Sequence, residues 1–391
     1  MPPAITTALP ATRLPSLRLP AIDILRGVVM LLMLLDHVRE TFFLHVQVSD
    51  PMAVDEVNPA LFAARMLAHL CAPVFVFLTG TSAFLYGRRQ ADPRRATSAF
   101  LLKRGAFLVL LELTLVNFAW TAEFPPSVVY LQVIWAIGIS MIALAGLLWL
   151  PRRAVIAIGV AVVAGHNLLD GIEVGGSGLA HTLWLVLHER GWFEIAGVRI
   201  RTSYPVLPWI GVIALGYAAG AWYANADADA RRRGLVLAGA MLLAGFVVIR
   251  ALNGYGDAPW QAHDHALTTV MGFLNVTKYP PSLLFLMLTL GVGALLLALF
   301  EQKRIATALA PLATFGAAPM FFYLLHLYFL KLLYVLAQGY WGNNQGGTFG
   351  FDHIGLLWAV TAGVALVLWL PTQAFARLKA RRREWGWLRY L

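Results

Sequence analysis

The chain has 391 residues, 59% of them hydrophobic and 13% charged, with a mean hydropathy of +0.70. Soluble domains lie near about 45–50% apolar and about 25% charged, so this composition excludes a disordered chain, a disulfide-stapled secreted scaffold and an ordinary soluble enzyme. The net charge of +10 falls mostly in short clusters between apolar runs, which reads as membrane topology and not as a nucleic-acid surface.

Residues 1–20 carry Pro2, Pro3, Pro10, Pro15 and Pro20 and no continuous apolar core, so they read as a loose cytoplasmic tail and not as a signal peptide. Ten apolar stretches of membrane-crossing length follow, at about 22–44, 61–87, 99–119, 128–150, 154–171, 205–224, 233–252, 281–301, 312–337 and 354–376. They predict an all-α, polytopic transmembrane helix bundle of about ten spans. Strands of a membrane barrel would alternate over roughly ten residues, and these runs do not. A single membrane domain is expected over 21–378, with a basic tail over 379–391. The single cysteine, Cys71, excludes an intramolecular disulfide and a cysteine-based metal site.

Basic clusters at Arg88 to Arg95 with Lys103 and Arg104, Arg152 and Arg153, Arg231 to Arg233, Lys303 and Arg304, and Arg377 to Arg383 mark one set of span ends. The other ends carry Asp50, Asp55, Glu56, Glu123, Asp170, Glu173, Asp257 and Asp352. The positive-inside rule then places both termini in the cytoplasm. Arg190, Arg199 and Arg201 run against this pattern, within a long outer segment (172–204) that contains a candidate interfacial helix from Leu179 to Arg190. A second outer segment, 253–280, is rich in Trp, His and Asp. Neither a Walker-type phosphate loop nor a dinucleotide fingerprint is present.

Ionisable groups within spans are costly, and each is a functional-site hypothesis. With the alternating topology applied, His37, His69, Glu112, Asn117, His166, Asn167 and His326 share the outer half of the bundle. Trp209, Lys278 and Tyr279 lie near the same level. This layering predicts a substrate cavity open to the far side, lined by His69, Glu112, Asn117, His166, Asn167, Trp209, Lys278 and Tyr279. Asp23 and Arg26 form a separate polar point at the inner end of the first span.

At 100° per residue, Asp23, Gly27, Met30, Leu34, His37 and Thr41 fall on one stripe, with Arg26 beside it and about 16 Å from His37 along the axis. Asp36 points away from His37, so Glu40, one turn on, is better placed to orient the imidazole. Plainer readings stand beside these. Glu112, Asn117 and Asn167 equally suit interhelical hydrogen bonding, Trp209 and Tyr279 an interfacial aromatic belt, and Lys278 a snorkelling role. His326 equally suits a bond to a backbone carbonyl. His166 and Asp170 have a metal-compatible spacing, but no third ligand is identifiable, and no metal is expected.

The segment Asp23-Ile-Leu-Arg-Gly27, with Met33 and Asp36-His37, resembles the first span of bacterial DUF1624 membrane proteins, which belong with the heparan-alpha-glucosaminide N-acetyltransferase catalytic family. Ala72-Pro-Val-Phe-Val-Phe-Leu-Thr-Gly80, Tyr204-Pro-Val-Leu-Pro-Trp-Ile-Gly211, Lys278-Tyr-Pro-Pro-Ser282, and Phe315-Gly-Ala-Ala-Pro319 through Tyr323-Leu-Leu-His326 are similar to later motifs of that family, in the same order. The resemblance covers about residues 20–340. It implies a multi-pass protein of the bacterial inner membrane that moves an acetyl group from cytoplasmic acetyl-CoA to an extracytoplasmic amino sugar, and it allows a homodimer.

Under it, His37, His45, Glu40 and His326 are the catalytic candidates, and Asp23 and Arg26 hold the donor. Lysosomal relatives carry Asn at the position of His37 and place their active His near that of His45. The wider acyltransferase-3 families have His at the His37 position. The alternative function is a transporter or exporter of a polar or glycan-related solute, without acyl-transfer chemistry.

Overall fold

The computed structural model describes residues 20–382 and 384–391, so the predicted 1–20 tail lies almost wholly outside the described residues. Helix dominates, at 70%, with 5% strand. Helix α1 (Pro20–Phe42) leads through an outer segment to α2 (Pro59–Ala68) and α3 (Cys71–Gly87), which together fill the second expected stretch. The third is α4 (Pro93–Leu111), a π-helical turn at Glu112–Val116, and α5 (Asn117–Thr121). Strand β1 (Val128–Leu131) precedes α6 (Val133–Leu147), and α7 (Arg152–Gly165) ends in a 3-10 turn at His166–Leu169.

A short helix, α8 (Leu179–Leu187), and strands β2 (Gly191–Ile195) and β3 (Val198–Thr202) precede α9 (Leu207–Asn225) and α10 (Ala228–Leu252). Then come α11 (Ala266–Leu274), α12 (Leu283–Phe300), α13 (Lys303–Ala308), α14 (Ala313–Ala317), α15 (Pro319–Trp341) and α16 (Gly355–Arg381). A helix thus stands in each of the ten expected stretches. Seven helical segments among the described residues are long and apolar enough to cross a membrane, and α6 is a shorter apolar helix of 15 residues. Helix α1 has the length but carries Asp23, Arg26, Asp36, Arg39 and Glu40.

The all-α expectation needs one correction. Residues 128–131 are strand, and β1 pairs in parallel with β3, which pairs antiparallel with β2. Ala196 and Gly197 both have positive φ, 50° and 81°, the backbone that a two-residue hairpin turn requires. The expected Leu179–Arg190 helix ends at Leu187. Arg199 and Arg201 lie over the Trp192 ring at 4.6 and 5.3 Å, and Arg190 lies over Tyr279 at 4.6 Å. Ring faces thus hold the three arginines that break the charge pattern.

The ninth expected stretch is broken. Pro319 supplies no amide hydrogen and disfavours helical geometry at the residue before it, and Ala318 leaves the helix at φ −136°, ψ 57°. The detached α14 lies directly on α1. A Cβ on Gly27 would sit 1.9 Å from the Leu312 carbonyl, and one on Gly316 would sit 1.9 Å from the Asp23 carbonyl. Only glycine permits this backbone approach, which fixes the α14–α15 break beside the first turns of α1. The expected basic tail over 379–391 is partly structured. Helix α16 runs on to Arg381, and the Tyr390 ring packs near Phe107 and Phe100 of α4.

Candidate active site

Asp23, Arg26, Met30 and Met33 recur on one face of α1 and line a cavity of about 400 Å³. Helix α3 adds Phe75, Thr79, Ser82 and Tyr86, the α14–α15 break adds Gly316, Pro319 and Met320, and Tyr323 closes the far end. Three basic residues line it, Arg26, Arg104 and Lys379. Arg26 bonds Asp23 at 3.2 Å and Ser82 Oγ, and Lys379 Nζ donates to the Leu391 carbonyl at 2.9 Å. The Asp23 and Arg26 expectation therefore falls on a real concavity, cationic at one end and apolar along its length.

Further along α1, His37 Nδ1 lies 2.7 Å from His326 Nε2, and His326 Nδ1 lies 2.8 Å from the Phe322 carbonyl. A carbonyl only accepts, so His326 carries its proton on Nδ1. In the neutral ring its Nε2 is then an acceptor, and His37 must donate from Nδ1. His326 is fully buried and, among the described residues, is bonded by His37 and the Phe322 carbonyl with no carboxylate beside it, which disfavours a second proton there. The consequence is a His37 tautomer whose Nε2 keeps its lone pair.

Two rings pack edge-on against His37, Trp120 at 5.3 Å and Tyr323 at 5.8 Å. Tyr323 also walls the large cavity, while Trp120 walls a smaller one of about 150 Å³ with Glu40, Thr41, Lys331 and Tyr334. His37 therefore stands between two concavities, one side chain away from each.

Beside this pair lies a buried charge cluster. Asp36 accepts from Arg65 Nη1 at 2.6 Å and Arg39 Nε at 3.0 Å, with Lys278 Nζ 3.9 Å away. Glu40 accepts from Arg39 at 3.1 Å. Asp50 lies 3.8 Å from Arg65 and accepts from the Lys278 amide at 2.9 Å. Three cations thus meet three carboxylates, the condition for holding such charge away from water. Burial still pushes the Asp50 carboxyl above its usual range, against the pull of Arg65 and the Lys278 amide. Lys278 also faces the Tyr279 ring at 5.1 Å, and the Tyr279 hydroxyl donates to Tyr204 at 3.2 Å.

The remaining expected residues separate by role. Glu40 pairs with Arg39 and does not orient His37; His326 does that. His45 is exposed and stacks on Phe43. His69, Glu112, Asn117, His166, Asn167, Trp209, Lys278 and Tyr279 stand outside the linings of these two cavities. Glu112 accepts from the Trp135 amide at 2.9 Å and caps α6 from the neighbouring helix. Asn117 brackets β1, donating to the Val128 carbonyl and accepting from the Tyr130 amide, both at 3.0 Å. Asn167 accepts from the Leu283 amide at 2.8 Å, at the start of α12. His69 is buried beside the Phe285 ring and Trp209 beside the Tyr204 ring.

Trp120, Arg104 and Lys379 join the site without a role expected from the sequence, as does Tyr323, which stood there only within a family-like motif. The basic pair hid inside clusters that topology explains, and the aromatic pair inside apolar runs. Arg65 also lies within an apolar stretch, and its partner Asp36 is 29 positions away.

The segments that resemble family motifs meet in space. The Asp23–Gly27 segment packs on the Phe315–Pro319 segment through Gly27 and Gly316. Gly80, closing the α3 segment, abuts the Ile213 carbonyl of α9, where a Cβ would lie 2.1 Å away. Tyr204 and Tyr279 join two further segments. Among curated proteins no match is found. Residues 18–255, more than half of the chain, match the family described as heparan-alpha-glucosaminide N-acetyltransferase, catalytic. A helical membrane bundle, these interlocked segments and that match together place the chain in the heparan-alpha-glucosaminide N-acetyltransferase catalytic family.

Proposed function

We propose that this membrane acetyltransferase takes its acetyl group from cytoplasmic acetyl-CoA and delivers it to an amino sugar on the opposite face of a bacterial inner membrane. The basic end of the bundle is then cytoplasmic, with about ten spans. The observation that carries this reading is the position of His37 between a cation-mouthed cavity and a smaller pocket. The larger cavity suits the pantetheine arm, with donor phosphates near Arg26, Arg104 and Lys379.

In the reaction, the acceptor nitrogen attacks the acetyl carbonyl carbon and the carbon–sulfur bond breaks. His37 Nε2 takes the amine proton and returns it to the leaving thiolate. His326 keeps the accepting nitrogen bare by engaging Nδ1. Trp120 and Tyr323 hold the ring plane.

The test is release of CoA from acetyl-CoA by purified protein, with glucosamine-terminated glycan or envelope extract as acceptor. Wild type should release CoA only with acceptor present, and His37→Ala should lose at least about a hundredfold in rate. A His37→Ala protein with full activity, beside an inactive His45→Ala protein, would move the catalytic role to His45. Absence of both release and acetyl-CoA binding would overturn the donor assignment.

A further inference from the structure

The opposite end of the bundle holds a second grouping that the acetyl-transfer reading does not use. Helix α7 ends at His166 in a 3-10 turn, and Asp170 follows one turn later. The C-terminus of α8 delivers His188 to the same point. One ligand atom from each of these three residues lies within 4.8 Å of the others, the single such grouping found among the described residues. His188 Nε2 and Asp170 Oδ1 are 3.2 Å apart. Two ligands on a tetrahedral zinc, with bonds of about 2.0–2.1 Å, stand about 3.4 Å apart, so one edge of a coordination tetrahedron is already set.

A plain His188–Asp170 ion pair would account for that edge but leaves His166 unexplained. Its ring is 3% exposed, and with only the Pro281 carbonyl near enough to engage one ring nitrogen, the other has no partner. His188 is equally buried, with Nδ1 unpartnered. A buried ring nitrogen without a partner costs free energy, and coordination removes that cost. The carboxylate is also prepared: Asn167 Nδ2 donates to Asp170 Oδ2 at 2.8 Å, fixing the group and leaving Oδ1 toward the two rings. Outer hydrogen bonds of this kind orient metal ligands. Asp170 is 47% exposed, which gives an ion a route in from water.

We propose that His166, Asp170 and His188 bind one divalent transition-metal ion, with zinc the best match to two imidazoles and a carboxylate. The sequence offered only the first two, because His188 lies on a separate element. The ion would clip α8 to the junction of α7 and α12, where Asn167 also holds the Leu283 amide. Just beyond α8, Arg190 lies on Tyr279 beside the charge cluster. The metal is thus a positioning element for the cap over that cluster.

The experiment uses the full chain in detergent, without a polyhistidine tag, stripped by chelator and then given zinc or cobalt. Expected are about one zinc per chain by elemental analysis, the visible absorption of four-coordinate cobalt, and a higher melting temperature on adding metal. His166→Ala and His188→Ala should lose all three effects. Should either fail to fold, Asp170→Asn at the exposed ligand should weaken zinc binding by more than about tenfold. His263→Ala, which breaks a similar His263–Asp55 contact of 3.0 Å at another outer point, should bind zinc as wild type does. No stoichiometric zinc in folded wild type would overturn the proposal. So would undiminished affinity in the ligand variants.

Discussion

The proton on His37 Nδ1 is placed by a residue 289 positions away. Replacing His326 by Ala removes the acceptor and frees the His37 ring to adopt either tautomer. Outer-shell partners of this type are worth about 10–100-fold. His326→Ala should lose that much in kcat with acetyl-CoA KM little changed, since His326 does not line the larger cavity proposed for the donor. His326→Gln, which keeps a carbonyl acceptor, should recover part of the loss. A matching fall in binding, or no recovery, would assign His326 to packing alone. The stripe that joins Asp23, Arg26 and His37 was legible from helical periodicity, because those residues share one element. Its completion was not: Tyr323, Trp120 and His326 reach it from α5 and α15, and periodicity carries no information about which helices become neighbours. Glu40 shows the cost of reasoning within one helix. Its spacing favoured His37, but the stronger partner, Arg39, is adjacent.

Among elements, the α14–α15 break shapes the cavity wall. Pro319 announced it in the sequence, whereas the reason for it, the approach of Gly316 to α1, needed the structure. Gly316→Ala would drive a methyl into the Asp23 carbonyl. The expected cost is about 1–3 kcal/mol from overpacking, with weaker acetyl-CoA binding as the wall shifts. Gly339→Ala, in α15 with open space around it, should have the opposite sign, up to about 1 kcal/mol of stabilisation from helix propensity. Melting temperatures of the two variants, with calorimetric titration of the donor, check both. Equal effects would remove the close approach as the cause. The β2–β3 hairpin escaped the sequence reading because Ala196-Gly197 is a weaker turn signal than Asn-Gly. The alternation in Val198-Arg-Ile-Arg-Thr202 was nonetheless there to be read.

Across the whole molecule, the expected ten-span topology is open to direct measurement. In a Cys71→Ser background, single cysteines are introduced at exposed Ala91 and Gln302, at the basic end, and at exposed Glu173 and Gln261, at the other. An impermeant maleimide added to intact cells should label positions 173 and 261 and leave 91 and 302 unlabelled until the membrane is opened. Labelling of 91 or 302 from outside would overturn the ten-span arrangement.

A protein that carries titratable groups through a bilayer risks short-circuiting the proton gradient that its own membrane maintains. The hydrogen-bonded line from His37 through His326 ends on the Phe322 carbonyl, which accepts a proton bond and has none to pass on. A proton captured at His37 Nε2 has no onward relay along that line and must leave by the face through which it entered. The same blind ending that sets the tautomer would therefore let the proposed acyl transfer across the membrane proceed while that histidine pair conducts no current.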